Sequence, residues 1–89
     1  MSIFRQMPGK CFLCGRTAET DTHHVFGGCR RQTSDKWDVT VELCRECHEA
    51  IHNHPAKDQF LKKYCQEYTM KYYQWTLHKW MQEFGKSYL

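Results

Sequence analysis

Cys44-Arg-Glu-Cys47-His48-Glu-Ala-Ile-His52 carries two metal-ligand spacings in one short run. Cys44 and Cys47 form a CxxC pair, which sets two thiolates on one tight turn facing one ion. His48 and His52 lie one helical turn apart, so on a helix both imidazoles face the same way and can share a second ion. Upstream, Cys11-Phe-Leu-Cys14 supplies a second CxxC pair, and His23-His24 falls between the two pairs. Four cysteines so spaced match a closed tetrahedral zinc site. Such a site has no open position and serves structure rather than chemistry. Cys29 and Cys65 fall outside both pairs and read as free thiols.

Around these ligands the chain reads as α+β. Gly15 follows the first CxxC pair, as a knuckle on a tight turn requires. Residues 16–22 are polar and read as loop. His23-His24-Val25-Phe26 reads as a short strand broken by Gly27-Gly28, and residues 29–37 as an exposed loop or short helix. Val39-Thr40-Val41-Glu42-Leu43 alternates apolar and polar, the mark of a half-buried strand. From Cys44 to about Asn53 the pattern is knuckle then helix, ended at the His54-Pro55 step. The expected core is a β-hairpin followed by a helix, stapled by the four-cysteine site, with histidines on the facing surfaces.

The last third predicts two C-terminal helices. Phe60, Tyr64, Tyr68 and Tyr72 recur every four residues, a stripe that reads as core packing rather than as a base-stacking platform. Leu77, Trp80, Met81 and Phe84 repeat the helical spacing, and Gly85 is a stop. The 89 residues therefore predict a single domain, with the knuckle and hairpin core in 11–54 and a helical extension in 55–89.

Composition narrows the class. So short a chain buries little apolar surface, so a structural metal helps its stability considerably. With 40% hydrophobic and 15% aromatic residues it is not a disordered tail. No stretch approaches the ~20 apolar residues of a membrane span, and Met-Ser-Ile-Phe-Arg-Gln lacks the apolar run of a secretory signal. A cytoplasmic protein is expected, without a membrane partner, and there CxxC pairs are metal ligands rather than disulfides. The net charge of +3 is carried by residues 55–89, with six Lys against three acids, while residues 1–54 hold seven of each sign. That balance alone is weak support for a nucleic-acid partner.

His23-His24, Gly27-Gly28, the alternating strand and Cys44-x-x-Cys47-His48-x-x-x-His52 together resemble the HNH, or ββα-metal, nucleases, and the bracketing cysteines resemble the zinc-containing branch of that superfamily. The doubled histidine before HxxxH looks most like DNase colicin domains. His23-His-Val-Phe-Gly-Gly28, Arg31, Ser34, the Val41-Glu-Leu-Cys44 strand end and Phe84-Gly-Lys-Ser-Tyr-Leu89 resemble small HNH-like proteins of bacteriophages. The resemblance implies that His24 is a general base and that His23, His48 and His52 hold a catalytic metal. It implies a DNA substrate, double-stranded and cut with low sequence specificity, and phage DNA-processing proteins as partners. A monomer or weak dimer is expected. The family's middle Asn, which orients the base, has no obvious counterpart; its place falls near Asp38 to Thr40, so Asp38, Thr40 or a backbone carbonyl is the candidate orienting group.

The chemistry implied is phosphodiester hydrolysis. A neutral imidazole can take a proton from water at physiological pH. Neighbouring residues of a strand point to opposite faces, so His23 and His24 divide naturally into one ligand and one base. Three imidazoles favour Zn²⁺, Ni²⁺ or Mn²⁺ over Mg²⁺, although the family tolerates Mg²⁺. Arg30, Arg31 and Lys36 are the candidate phosphate clamps beside the Gly-Gly turn, with Arg31 foremost because the phage proteins that the chain resembles share it. Two other readings compete: a zinc-stabilised DNA-binding module without useful catalysis, and a zinc-knuckle interaction protein of a larger phage DNA-processing complex.

Overall fold

A computed structural model describes residues 2–4, 6 and 9–89. Strands β1 (Thr20–His24) and β2 (Thr40–Cys44) form a two-stranded antiparallel hairpin, and α2 (Arg45–Asn53) follows directly. The long connection between the strands holds a 3₁₀ turn at Gly28–Arg30 and the short helix α1 (Arg31–Lys36). Helices α3 (Pro55–Tyr73) and α4 (Leu77–Phe84) complete the α+β fold.

β1 begins earlier than its sequence suggests and ends at His24. Thr20, Asp21 and Thr22 look like loop, yet they pair with Cys44, Leu43 and Glu42. The hydroxyls of Thr20 and Thr22 donate to the Glu42 carboxylate at 3.3 and 2.7 Å, so cross-strand hydrogen bonds sustain a polar strand face. Val25 and Phe26 leave the strand and enter the core, where Ser34 Oγ donates to the Phe26 carbonyl at 3.0 Å.

The helix boundaries follow local chemistry. Cys44 is extended and Glu46 sits in the first turn of α2, near its positive dipole end. His54 is extended before Pro55, as the proline ring demands, and Pro55 opens α3 where its missing N–H costs nothing. Thr76 caps α4 by accepting the Lys79 N–H at 3.2 Å, and Gly85 ends it at φ +77°, a left-handed conformation that glycine adopts without strain.

One apolar cluster links the layers: Phe26, Val39, Val41 and Leu43 from the hairpin region, Ile51 from α2, Leu61 and Cys65 from α3, and Trp80 and Phe84 from α4. Phe26 meets Trp80 edge-on with ring centroids 5.1 Å apart. The C-terminal tail folds back over it. Buried Gln66 accepts the Tyr88 N–H at 2.6 Å and donates to Ser87 Oγ at 3.1 Å, and the Trp80 indole donates to the Lys86 carbonyl at 2.9 Å.

The aromatic stripe on α3 is core only in part: Tyr68 is half-buried and packs on Phe4 with ring centroids 4.8 Å apart. Leu61, Cys65, Gln66 and Thr69 face inward, whereas Phe60 is 71% exposed, Tyr72 56% and Tyr64 47%. The reason is competition between two faces of one helix. The tail supplies hydrogen bonds that let Gln66 be buried, so the side holding Leu61 and Cys65 turns inward and Phe60, Tyr64 and Tyr72 are left largely in solvent.

Candidate metal centres and catalytic cleft

The hairpin and the knuckle bring the four cysteines together. A tight turn places Cys11 and Cys14, with Gly15 at φ +74° and its N–H on the Cys11 carbonyl at 2.9 Å. Cys44 ends β2 and Cys47 lies in the first turn of α2. All four sulfurs lie within 4.8 Å of one another, and Cys14 Sγ is 3.9 Å from Cys44 Sγ. A tetrahedral ion with ~2.3 Å bonds to sulfur needs about 3.8 Å between sulfurs, whereas a disulfide needs about 2.05 Å. The cluster could therefore hold one structural ion. Burial pushes the Cys11 thiol up, but N–H groups from Cys14, Cys44 and Leu13 outweigh it and hold the thiol at about 6. Burial and hydrogen bonds from its neighbouring thiols push Cys47 the other way.

A second cluster is built from His23, His48 and His52, whose ligand nitrogens also lie within 4.8 Å of one another. The His23 ring meets His48 edge-on at 5.1 Å and His52 at 6.1 Å, while His48 and His52 are 5.0 Å apart along α2. His23 is 8% exposed, and its Nε2 is buried with no hydrogen-bond partner. An unpaired buried polar atom costs about 1–3 kcal/mol, so its retention among three imidazoles suits a bound cation. Burial, then the nearby His48 and His52, lower the His23 pKa to about 4, which keeps its nitrogen free to ligate. The Asp21 carboxylate stands 3.6 Å from His48 Nδ1, leaving Nε2 of that ring for an ion.

His24, next in the strand, turns toward α1. Its Nε2 lies 2.7 Å from Asp35 Oδ1, a pairing the sequence reading missed. Asp38 sits elsewhere, in the turn between α1 and β2 at φ +58°, with its carbonyl accepting the Ile3 N–H. No local spacing marks Asp35, which lies eleven residues from His24; the contact depends on how α1 packs against the hairpin.

Although they point apart, His23 and His24 border one cleft of about 400 Å³, because β1 ends there and the chain turns at Gly27-Gly28. Arg30 lines the same cleft, as do Asp58 and Lys62 of α3 and Tyr88 of the tail. Lys62 is paired with Asp58 at 2.8 Å. The other two candidate clamps lie outside the lining. Arg31 is exposed at the start of α1, and the Lys36 ammonium is 3.9 Å from Glu83 and 5.1 Å from the Trp37 ring, so it packs toward α4.

Among the described residues no helix is long and apolar enough to cross a membrane. No protein-family model, no curated protein and no solved structure matches the chain.

Proposed function

We propose that this chain is a metal-dependent endonuclease of the HNH type that nicks DNA, with zinc in the four-cysteine site as its structural ion. The observation that carries this reading is the buried, unpartnered Nε2 of His23 inside a three-imidazole cluster, at the strand end where His24 is held by a carboxylate. His23, His48 and His52 would hold one divalent ion, Zn²⁺, Ni²⁺, Mn²⁺ or Mg²⁺. Bound there, it supplies Lewis-acid stabilisation of charge on the phosphate and the departing oxygen.

The protein's own groups do the rest. Asp35 accepts the Nε2–H of His24, which fixes the tautomer and leaves Nδ1 as the proton acceptor. Nδ1 takes a proton from water as the water oxygen bonds to phosphorus and the bond to the 3′-oxygen breaks. Asp35 then stabilises the imidazolium, as a carboxylate does in any base dyad. A positioned base of this kind contributes about 10²–10⁴-fold. Arg30, at the cleft wall, meets the phosphate.

Metal counting coupled to cleavage tests the reading. Two ions per chain are expected, one of them lost in His48→Ala together with nicking. Tight DNA binding without cleavage under any metal would instead identify a binding module that kept only the shape.

A further inference from the structure

Helix α3 presents a partly exposed aromatic face that the proposed catalytic site does not use. At 100° per residue, Phe60, Tyr64, Tyr68 and Tyr72 span an arc of about 120°, and Lys57 and Lys71 fall inside it. Phe60, Tyr64 and Tyr72 are open to solvent, as are both lysines. Tyr68 is half-buried and anchored, its hydroxyl donating to the Ile3 carbonyl at 3.2 Å. Successive rings are close to parallel: Tyr64 and Tyr68 lie 6.4 Å apart at 30°, and Tyr68 and Tyr72 6.4 Å apart at 16°. Tyr68 packs on Phe4 and the edge of Tyr64 nears Phe12, with ring centroids 4.8 and 6.1 Å apart, yet Phe60, Tyr64 and Tyr72 keep much of their surface in water along a helix of about 28 Å.

Charge decides between the occupants such a face could take. Residues 55–89 carry six lysines against three acids. Lys62 is neutralised by Asp58, and Lys79 lies 3.4 Å from Glu83, so Lys57, Lys63 and Lys71 supply the excess along α3. Glu67 is the one carboxylate on the stripe side of the helix. Aromatic faces interleaved with cations match a strand of unpaired bases, each with a π-face and a phosphate. A duplex buries its base faces and cannot stack on the row.

We propose that this face of α3 binds single-stranded DNA, with bases stacking on Phe60, Tyr64 and Tyr72 and phosphates meeting Lys57 and Lys71. The surface would hold an unpaired strand along α3. The inference rests on the nuclease reading only for the ligand class, since binding here needs no catalytic ion.

The test is fluorescence anisotropy of a labelled oligothymidylate of about 12 nucleotides, inside the usual ~4–16-nucleotide site size. It uses the full chain with its structural metal and no added divalent ion, so cleavage does not enter. Tyr64→Ala/Tyr72→Ala should weaken binding at least about 25-fold, at roughly fivefold or more per ring, and Phe60→Leu, which keeps an apolar side chain, at least about fivefold. Lys57→Gln/Lys71→Gln should flatten the log–log salt dependence by about 1.4, at ~0.7 per phosphate contact. An unchanged melting curve in each variant excludes unfolding as the cause. Absence of strand binding by the wild type at low salt overturns the proposal. So does full binding by Tyr64→Ala/Tyr72→Ala, tighter binding of the matching duplex or RNA strand, or a homodimer that the same double variant dissociates. Strand binding through these residues in a protein that cuts nothing supports the proposal while contradicting the nuclease reading.

Discussion

His24 and Asp35 meet across the gap between β1 and α1, Nε2 to Oδ1 at 2.7 Å, so a carboxylate faces the imidazole proposed as the base. A carboxylate so placed orients the ring. Asp35→Asn keeps the size and a hydrogen-bond acceptor but removes the charge. It should lower the nicking rate at least about 10-fold, toward the ~10⁴-fold that the same change costs a serine-protease triad, with metal content unchanged. Asp38→Asn should leave the rate within about twofold. Single-turnover nicking of both variants reads the difference.

His23 makes a stability prediction that needs no substrate. In protein carrying its structural metal but no ion at the histidines, His23→Leu removes a buried unpartnered nitrogen and should raise the melting temperature by at least ~4 °C. The same variant should lose the second metal.

The pH dependence follows from the same residue. The folded-state pKa of His23 is about 4, below its ordinary 6.5. Between those values the unfolded chain binds a proton that the folded chain does not. Stability from this group is therefore complete above about pH 6.5 and is lost as pH falls toward 4, by up to about 3 kcal/mol. Acid would also protonate thiolates that hold an ion at the four-cysteine cluster, so the measurement is the difference in urea midpoint between wild type and His23→Leu from pH 7 to 4. That difference should grow on acidification in favour of the variant.

Metal at the knuckle should decide folding. Structural zinc contributes an apparent ~10–16 kcal/mol in small zinc domains, as much as the whole stability of an ordinary domain. Cys44→Ser, or a chelator, should abolish the cooperative melting transition. Cys29→Ser, at an exposed thiol outside the cluster, should leave it within about 0.5 kcal/mol.

The clamps separate by position. Arg30 lines the cleft, whereas Lys36 is paired with Glu83 on α4. Arg30→Ala should weaken duplex binding at every sequence and reduce its salt slope by about 1, and Lys36→Ala should change neither by a measurable amount. Binding titrations between low and moderate salt distinguish them.

What could be read from the sequence was local. The CxxC and HxxxH spacings are fixed by one turn of backbone, so Cys11, Cys14, Cys44, Cys47, His48 and His52 announce their clusters without tertiary information. The end of α2 was equally plain, because Pro55 restricts His54 whatever surrounds it. Features set by packing between elements were not legible. Thr20–Thr22 look like loop because their side chains are polar, and only pairing with Glu42 makes them strand. Asp35 has no spacing to betray it. The stripe from Phe60 to Tyr72 has ideal core periodicity, yet the choice between two faces of α3 was made by Gln66 and a tail that returns from residues 85–89.

The most direct test of the central claim is nicking of supercoiled plasmid by the purified protein and by His24→Ala, across Mg²⁺, Mn²⁺, Ni²⁺ and Zn²⁺. Nicking that requires added metal, and that falls at least about 100-fold in His24→Ala while both metal sites stay loaded, is the predicted result. Equal activity in the two proteins, or none in a fully loaded wild type, would contradict the assignment.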